Sequence, residues 1–452
     1  MTQADNRKKV VVIGGGFAGL WAVRRLSKAP VDITLIDRSN HHLFQPLLYQ
    51  VATAGLAAPS IAAPLRHILR KQRNVSVLMG EVQRIDVDAR RVIVAGRQLD
   101  YDYLLVASGA THAYFGHGEW EQFAPGLKTL DDAFVIRRRI LDSFERAEAT
   151  ASDAERDACL TFAIIGGGPT GVELAGTVAE IARHTLADQF RKIDSRQARV
   201  LLIEAGPRVL ATLDESLSRK AGEQLGRLGV TVHTGQPVTA IGDGYLVFGG
   251  QRVAARTILW AAGVAASPLG QQLGAELDRA GRVKVGGDLS LPSHPEVFVA
   301  GDLASLQVAG KPVPGVAPAA KQMGNCAADN IVARIRGRGT TPFRYRDWGA
   351  LATIGRHSAV AQLPNMKFSG IFAWWFWLLL HIYFLIGFRS RLIVLINWAW
   401  SYFTYARGAR IIIGNESERD LHGSEEEVGA EEKGQTRPEA GPQRREAGTG
   451  RH

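Results

Sequence analysis

The stretch Val10-Val11-Val12-Ile13-Gly14-Gly15-Gly16-Phe17-Ala18-Gly19 constrains the fold more than any other part of the 452-residue chain. Four β-branched residues in succession make a fully apolar run, as expected of a strand buried in a parallel sheet. Glycines follow at Gly14, Gly16 and Gly19, and a helical pattern begins at Leu20. Gly14 permits the tight turn out of the strand. Gly16 lets backbone N–H groups approach a pyrophosphate with no Cβ in the way. Gly19 lets the helix lie close to the strand. The helix start then presents unpaired N–H groups and the positive end of its dipole to an anion. Phe17 and Ala18, inside the same turn, join the glycines as candidate contacts. A second apolar run, Ile33 to Ile36, ends in Asp37, about 18 residues past Gly19, where an acid binds a ribose hydroxyl. The plain alternative for Asp37 is a surface acid closing a strand.

The same device recurs. Thr161 to Ile165 leads into Gly166-Gly167-Gly168-Pro169-Thr170-Gly171 and then a helix, and a second strand, Val200 to Ile203, ends in Glu204. Two dinucleotide units in one chain imply two nucleotides held at once, most simply a flavin and a nicotinamide with their reactive rings facing.

The length suggests two or three domains. The net charge of +10 points to an anionic partner. No reader helix or basic-aromatic stripe for nucleic acid is visible. Anionic lipid fits better, because arginines flank the apolar C-terminal region. Cys159 and Cys326 are far apart and form no C-x-x-C, so neither a dithiol centre nor a cysteine metal site is expected. Residues 1–9 carry no apolar segment of the signal-peptide kind, and the first strand follows at once. The body is therefore expected to stay in the cytoplasm.

Between the two units, Asn40 to Gln50 reads as an irregular aromatic and amide-rich loop suited to covering a flat ring, with Gln45 as a polar contact. Val75–Leu78 and Val92–Val94 read as strands around Glu81 and Val82. The strand Tyr103–Val106 ends in Ala107-Ser108-Gly109-Ala110, small residues that let backbone run beside a nucleotide. Leu130–Ala149 reads as a helix with acids at its start. The strand Thr257–Trp260 likewise ends in Ala261-Ala262-Gly263-Val264. Val297–Val299 leads to Gly301 and Asp302, which places Asp302 on a polyol hydroxyl. Pro314–Gly324 opens a helix that carries Gln322.

From Phe368 to Phe388 there is no Asp, Glu, Lys or Arg. Arg389 and Arg391 follow, then an apolar and aromatic run to Tyr405, then Arg407 and Arg410. The first run is about long enough to span a bilayer. The tryptophans and tyrosines along both runs instead suit the membrane interface. Spanning and lying flat stay open here. Residues 415–452 are rich in Glu, Gly and Arg and are expected to be disordered.

These motifs together resemble the type II, non-pumping NADH:quinone oxidoreductases across residues 8–413. The matching segments are Val-Ile-Gly-Gly-Gly-Phe-Ala-Gly at 12–19, Phe-Gln-Pro-Leu-Leu-Tyr-Gln-Val-Ala-Thr at 44–53, Gly-Gly-Gly-Pro-Thr-Gly-Val-Glu-Leu-Ala-Gly at 166–176, Trp-Ala-Ala-Gly-Val at 260–264, Val-Ala-Gly-Asp at 299–302, and Tyr-Arg-Asp-Trp-Gly-Ala-Leu-Ala-Thr-Ile-Gly-Arg at 345–356. The resemblance implies FAD on the first unit, NADH on the second and quinone reached from the membrane. It implies that NADH passes hydride to FAD, and that two electrons then go to quinone without proton pumping. Ala317, Ala320 and Gln322 match the family's Ala-Gln-x-Ala-x-Gln quinone motif, with Pro318 in place of the first glutamine. Glu173 is the family's candidate link between the nicotinamide and quinone sides.

The expected architecture is α/β: two Rossmann-like dinucleotide-binding domains, the two-dinucleotide-binding flavoprotein fold, plus a C-terminal amphipathic helical membrane anchor. The FAD domain is expected at 8–115 and 293–340, the NADH domain at 116–292, the anchor at 341–413 and the tail at 414–452. Glu173 and Gln322 are the candidate catalytic residues. The candidate FAD contacts are Gly14, Gly16, Phe17, Ala18, Gly19, Asp37, Gln45, Val82, Ala107, Gly109 and Asp302. Those for NADH are Gly166, Gly168, Pro169, Thr170, Gly171, Glu204 and Gly263. The protein is expected to sit peripherally on the cytoplasmic side of the cell membrane. Dimerisation and the choice of ubiquinone or menaquinone are left open. A sulfide or disulfide reductase would need paired cysteines. A soluble ferredoxin or rubredoxin reductase would have no use for the aromatic C-terminus. A redox-sensing binding protein would not turn over with quinone.

Overall fold

In the computed structural model, which describes residues 7–386, 388–404 and 407–412, the strand Lys8–Ile13 lies at the centre of a five-stranded parallel sheet. Val31–Asp37 and then Val75–Met79 flank it on one side. Tyr103–Val106 and then Val297–Val299 flank it on the other. Val297–Val299 thus returns to the first sheet from almost 200 residues downstream of its neighbour. The apolar run dictates this placement: Val10, Val11, Val12 and Ile13 are all at most 3 % exposed. Helix α1, Phe17–Arg25, follows the glycine turn. The loop expected at 40–50 is more ordered than its sequence implies. His41–Leu43 is a short strand paired with Ala62–Pro64, and Leu48–Ala52 is a single helical turn, α2.

Helix α3, Leu130–Ala149, begins at a capping box in which the Thr129 hydroxyl accepts from the Asp132 N–H and the Asp132 carboxylate accepts from the Thr129 N–H. It leads to a second parallel sheet. There Thr161–Ile165 sits between Arg199–Glu204 and Thr257–Trp260, and Val230–Thr234 closes the far edge. Helix α4, Pro169–Glu180, follows the second glycine turn. A two-stranded ribbon, Ala110–His112 against Val264–Ala266, joins the small-residue ends of the two sheets. Helix α5, Ala317–Ile335, packs on α1, where the Ala18 backbone fills the space a Cβ on Gly324 would need.

The C-terminal part is a meander, Ala350–Gly355, Ser358–Leu363 and Met366–Gly370, followed by helices α6, Ile371–Phe384, and α7, Phe388–Thr404. The apolar run from Phe368 is therefore split between a strand and a 14-residue helix. Among the described residues no helix is long and apolar enough to cross a membrane. Trp377 and Leu378 of α6 and Val394 of α7 share one core with Phe144 of α3, Phe162 of the second sheet and Val178 of α4. Phe372, Trp375, Leu379 and Tyr383 of α6, and Leu392, Ile396 and Trp400 of α7, stay exposed. The tail expected to be disordered, residues 415–452, lies outside the described residues.

Candidate active site

The two glycine turns have the same build. Gly14 and Gly166 have φ of 99° and 108°, a backbone that favours glycine, and a Cβ on either would strike the strand-end carbonyl of Ala107 or Ala261. Gly16 and Gly168 face open space. The first helical bonds run from Leu20 N–H to Gly16 O and from Val172 N–H to Gly168 O, 3.1 and 3.0 Å. Earlier N–H groups such as those of Phe17, Ala18, Gly19, Thr170 and Gly171 have no carbonyl in their own helix. Pro169 opens α4 at a position where a missing N–H costs nothing.

Each strand-end acid is locked in place. Asp37 accepts from Gly15 N–H at 2.5 Å and Ser39 N–H at 2.7 Å. Glu204 accepts from Gly167 N–H at 2.5 Å and Gly206 N–H at 2.6 Å. These acids fasten the glycine turn to the neighbouring strand, a role that sequence spacing did not reveal. Arg208, four residues past Glu204, turns to the carbonyls of Leu213 and Ala211 instead.

The remaining candidates of the first unit gather around its turn and strand ends. Ala107 is buried against Gly14, and Gly109 opens the ribbon at φ 72°. Val82 is buried in the core around the first sheet, with Val12 and Leu104. Gln45 lies 3.5 Å from the Lys128 carbonyl. Asp302 occupies the turn after Val297–Val299, where Gly301 N–H points at the Met323 sulfur. Two neighbours went unrecognised in the sequence. His42 is buried, its Nδ1 2.9 Å from the Gly15 carbonyl and its ring edge-on to Phe17, and burial pushes it down to about 4. The adjacent His41 has its Nδ1 3.1 Å from the Asn40 side-chain oxygen. Lys128 is pushed down by burial and up by Asp302. His42 Nε2 and Ser108 Oγ are buried without a protein partner beside the cradle. Open space over Gly16, outward N–H groups and these two orphaned atoms fit a dinucleotide with many polar atoms. In the second unit Gly263 lies under the exposed ring of Phe115.

Two residues past Gly171 in the sequence, Glu173 reads as part of the first turn of its helix. Because α4 opens at Pro169, Glu173 falls just beyond that turn, where the dipole acts weakly. Burial dominates: it pushes the carboxyl up to about 8, against a hydrogen bond from the Thr353 N–H. Tyr49 of α2 is buried nearby, its hydroxyl 3.1 Å from that of Thr353. Gln322 spends both ends of its amide on the Arg346 backbone, 3.0 Å each. Lys321 beside it lies over the rings of Trp21 and Phe384.

The arginines expected to flank a membrane face turn inward where they are described. Arg391 donates to the Leu385 and Tyr383 carbonyls at the end of α6. Arg407 pairs with Glu180 at 3.3 Å, and Arg410 donates to Gln189 at 2.7 Å. Both cysteines are free and unpaired with each other. Burial, then Glu155, pushes Cys159 up to about 12; burial, then Asp329 and Asp288, pushes Cys326 up to about 11.

Two parallel sheets, each opening on a glycine cradle and closed by a strand-end acid, define a pyridine nucleotide-disulphide oxidoreductase, and that family matches residues 8–324. The NDH2 C-terminal domain family matches residues 348–405. The chain belongs to the type II NADH:quinone oxidoreductases. It is 45 % identical to the type II NADH:quinone oxidoreductase Ndh of Mycobacterium tuberculosis, over 90 % of each chain. It is 31 % identical to that of Staphylococcus haemolyticus, over 81 % of this chain and 92 % of the relative. NDH2 from Plasmodium falciparum, solved in complex with NADH, shares the fold with a TM-score of 0.82 at 20 % identity, over 90 % of this chain and all of the other. The sulfide:quinone oxidoreductase of Aquifex aeolicus shares it at 0.68 and 19 % identity, over 92 % and 95 %.

Proposed function

We propose that this chain is a respiratory NADH:quinone oxidoreductase that carries two electrons from NADH to a membrane quinone through bound FAD and does not pump protons. The observation that carries the reading is the pair of matched glycine cradles in one chain. The first, closed by Asp37, would hold FAD with Asp302 and Gln45. The second, closed by Glu204, would hold NADH. FAD, when bound, supplies the chemistry: it takes a hydride from NADH and gives two electrons to quinone.

The residues position and protonate. The outward N–H groups at each helix start neutralise a pyrophosphate. The strand-end acids take the ribose hydroxyls. Glu173, protonated at neutral pH, holds a proton where the α2 turn, α4 and the C-terminal meander meet. Gln322 keeps α5 fastened to the segment that leads into that meander. The Cys159 and Cys326 thiols are pushed up by burial, unpaired and packed in different cores, which does not suit the dithiol chemistry of a sulfide or disulfide reductase.

The exposed aromatic faces of α6 and α7 support binding flat on a lipid surface. The domain division given above follows the same reading, with Val297–Val299 and α5 completing the FAD domain. NADH oxidation by the FAD-loaded protein in detergent tests the function. Oxidation that rises steeply on adding a short-chain quinone supports it; oxidation indifferent to quinone refutes it.

A further inference from the structure

The first turns of α5 bring one cation to the place where the first cradle meets the C-terminal helices. Ala18 and Ala320 close on Gly301, and Gly324 lies against the Ala18 backbone, so this part of α5 is fixed to the glycine turn. Lys321 follows Ala320. Its Nζ is 4.9 Å from the ring centre of Trp21 on α1 and 5.2 Å from that of Phe384, the last residue of α6. Trp21 stands 5.8 Å from Phe17 of the cradle, and Phe384 stacks on Trp348 at 5.5 Å. Tyr383, next to Phe384, belongs to the exposed aromatic face of α6. A line of rings thus leads from that face to the first cradle, with one ammonium set in it.

No ion pair accounts for this ammonium. Among the described residues no carboxylate pairs with it and no side chain or backbone oxygen accepts from it. Burial, and then the like charge of Arg24, lowers its pKa, so holding a charge here costs stability. The two ring faces offset part of that cost. Its three N–H donors still have no protein acceptor. The neighbouring positions of α5 offer no other free donor. Pro318, one turn earlier on the same face, has neither an N–H nor a side-chain donor. Gln322 spends its amide on Arg346.

We propose that Lys321 is the hydrogen-bond donor and counter-charge for the quinone, whose flat ring lies along Trp21 and Phe384 with one carbonyl oxygen at the ammonium. The inference rests on the proposed reaction. In sum, NADH, one proton and quinone become NAD+ and hydroquinone. Two electrons and one proton leave NADH as a hydride, and the second proton comes from solvent. Negative charge grows on the quinone oxygens as the electrons arrive, and a poorly hydrated cation fixed beside one oxygen stabilises it. Lys321 enters and leaves as an ammonium, so it neither supplies nor keeps a proton. A lipid phosphate is the other anion-like group that a cation near this face could meet. The two ring faces favour a flat aromatic-like ring over a tetrahedral headgroup.

The test mixes the full-length, FAD-loaded protein rapidly with NADH and then with a short-chain ubiquinone in detergent. Lys321→Met keeps the side-chain length and removes the charge. It should retain FAD and be reduced by NADH at the wild-type rate. Its reoxidation should be at least about tenfold slower, and slower still at saturating quinone, as expected when a contact made mainly in the transition state is lost. Adding Pro318→Gln to Lys321→Met puts an amide donor one turn away on the same face and should recover a large part of the rate. A merely structural role for Lys321 would not respond to that second change. Reoxidation of Lys321→Met at the wild-type rate overturns the proposal. If vesicle sedimentation is lost at the same time, Lys321 serves a lipid phosphate instead. Equally slow reoxidation of the single and double variants shows a packing role and overturns it too. If Lys321→Met fails to retain FAD, Lys321→Gln takes its place: slower reoxidation supports the proposal and a wild-type rate overturns it. No reoxidation by quinone in the wild type overturns the proposed reaction itself.

Discussion

The guanidinium of Arg407 and the carboxylate of Glu180 meet at 3.3 Å across 227 residues of sequence, both nearly sealed from solvent. Arg407 also donates to the Thr53 carbonyl at 3.0 Å. One side chain thus ties the end of the described chain to the α2 turn of the first unit and to α4 of the second. Removing one partner of a buried pair leaves the other uncompensated, at about 3–5 kcal/mol. Arg407→Met should therefore lower the midpoint of thermal unfolding clearly, and Arg407→Met with Glu180→Gln should recover much of the loss. A single variant as stable as the wild type would contradict this account of the pair.

Glu204 should make the protein prefer NADH to NADPH. Two backbone N–H groups fix its carboxylate at the strand end, where it would accept from a ribose diol and repel a 2′-phosphate. Arg208, the cation closest in sequence, is occupied by carbonyls and does not neutralise it. The ratio of kcat/KM for NADH over NADPH should be at least roughly tenfold, and Glu204→Ala should narrow it. Equal efficiency with both nucleotides in the wild type would refute the assignment.

The α6 face tests membrane binding without disturbing the core. Phe372 and Trp375 are 78 % and 49 % exposed, so Phe372→Glu with Trp375→Glu should leave FAD content unchanged and abolish sedimentation with anionic vesicles. Removal of the chain after Ser369 is a poorer test, because it also strips Trp398 from Gln50 and Arg407 from Glu180. Vesicle binding unaffected by the two substitutions would place the contact elsewhere.

The stability of the protein should carry the mark of Glu173. Its carboxyl is raised from 4.5 to about 8, so between those values the folded state keeps a proton that the unfolded chain releases. Stability then falls as pH rises through that window, by up to about 1.4 kcal/mol per pH unit, and is flat on either side. Glu173→Gln should remove this slope in thermal unfolding. An identical slope in both proteins would show that Glu173 ionises freely in the fold.

Both glycine cradles were legible because their signal is local: a run of β-branched residues, glycines at fixed spacing and an acid one strand later. Spacing from Gly171 puts Glu173 one step too early, in the first turn, although Pro169, which opens helices, marks the start from which it falls just beyond that turn. What stayed hidden depends on residues far apart. His41–Leu43 is too short to show a period, and Tyr49 and Thr353 meet across 304 residues. Arg407 looks like a lipid-facing cation beside an apolar helix, and only the fold shows Glu180 waiting for it. Gln322 looks like a site amide until Arg346 is seen to take both of its ends.

The most direct test of the reaction mixes the FAD-loaded wild type first with NADH and then with a short-chain quinone, following the flavin absorbance through both steps. The account predicts rapid loss on adding NADH, rapid recovery on adding quinone, and in Glu173→Gln an unchanged first step with a second step at least roughly tenfold slower, about 1.4 kcal/mol of barrier. Flavin that is not reduced by NADH, or that quinone fails to reoxidise in the wild type, would contradict it.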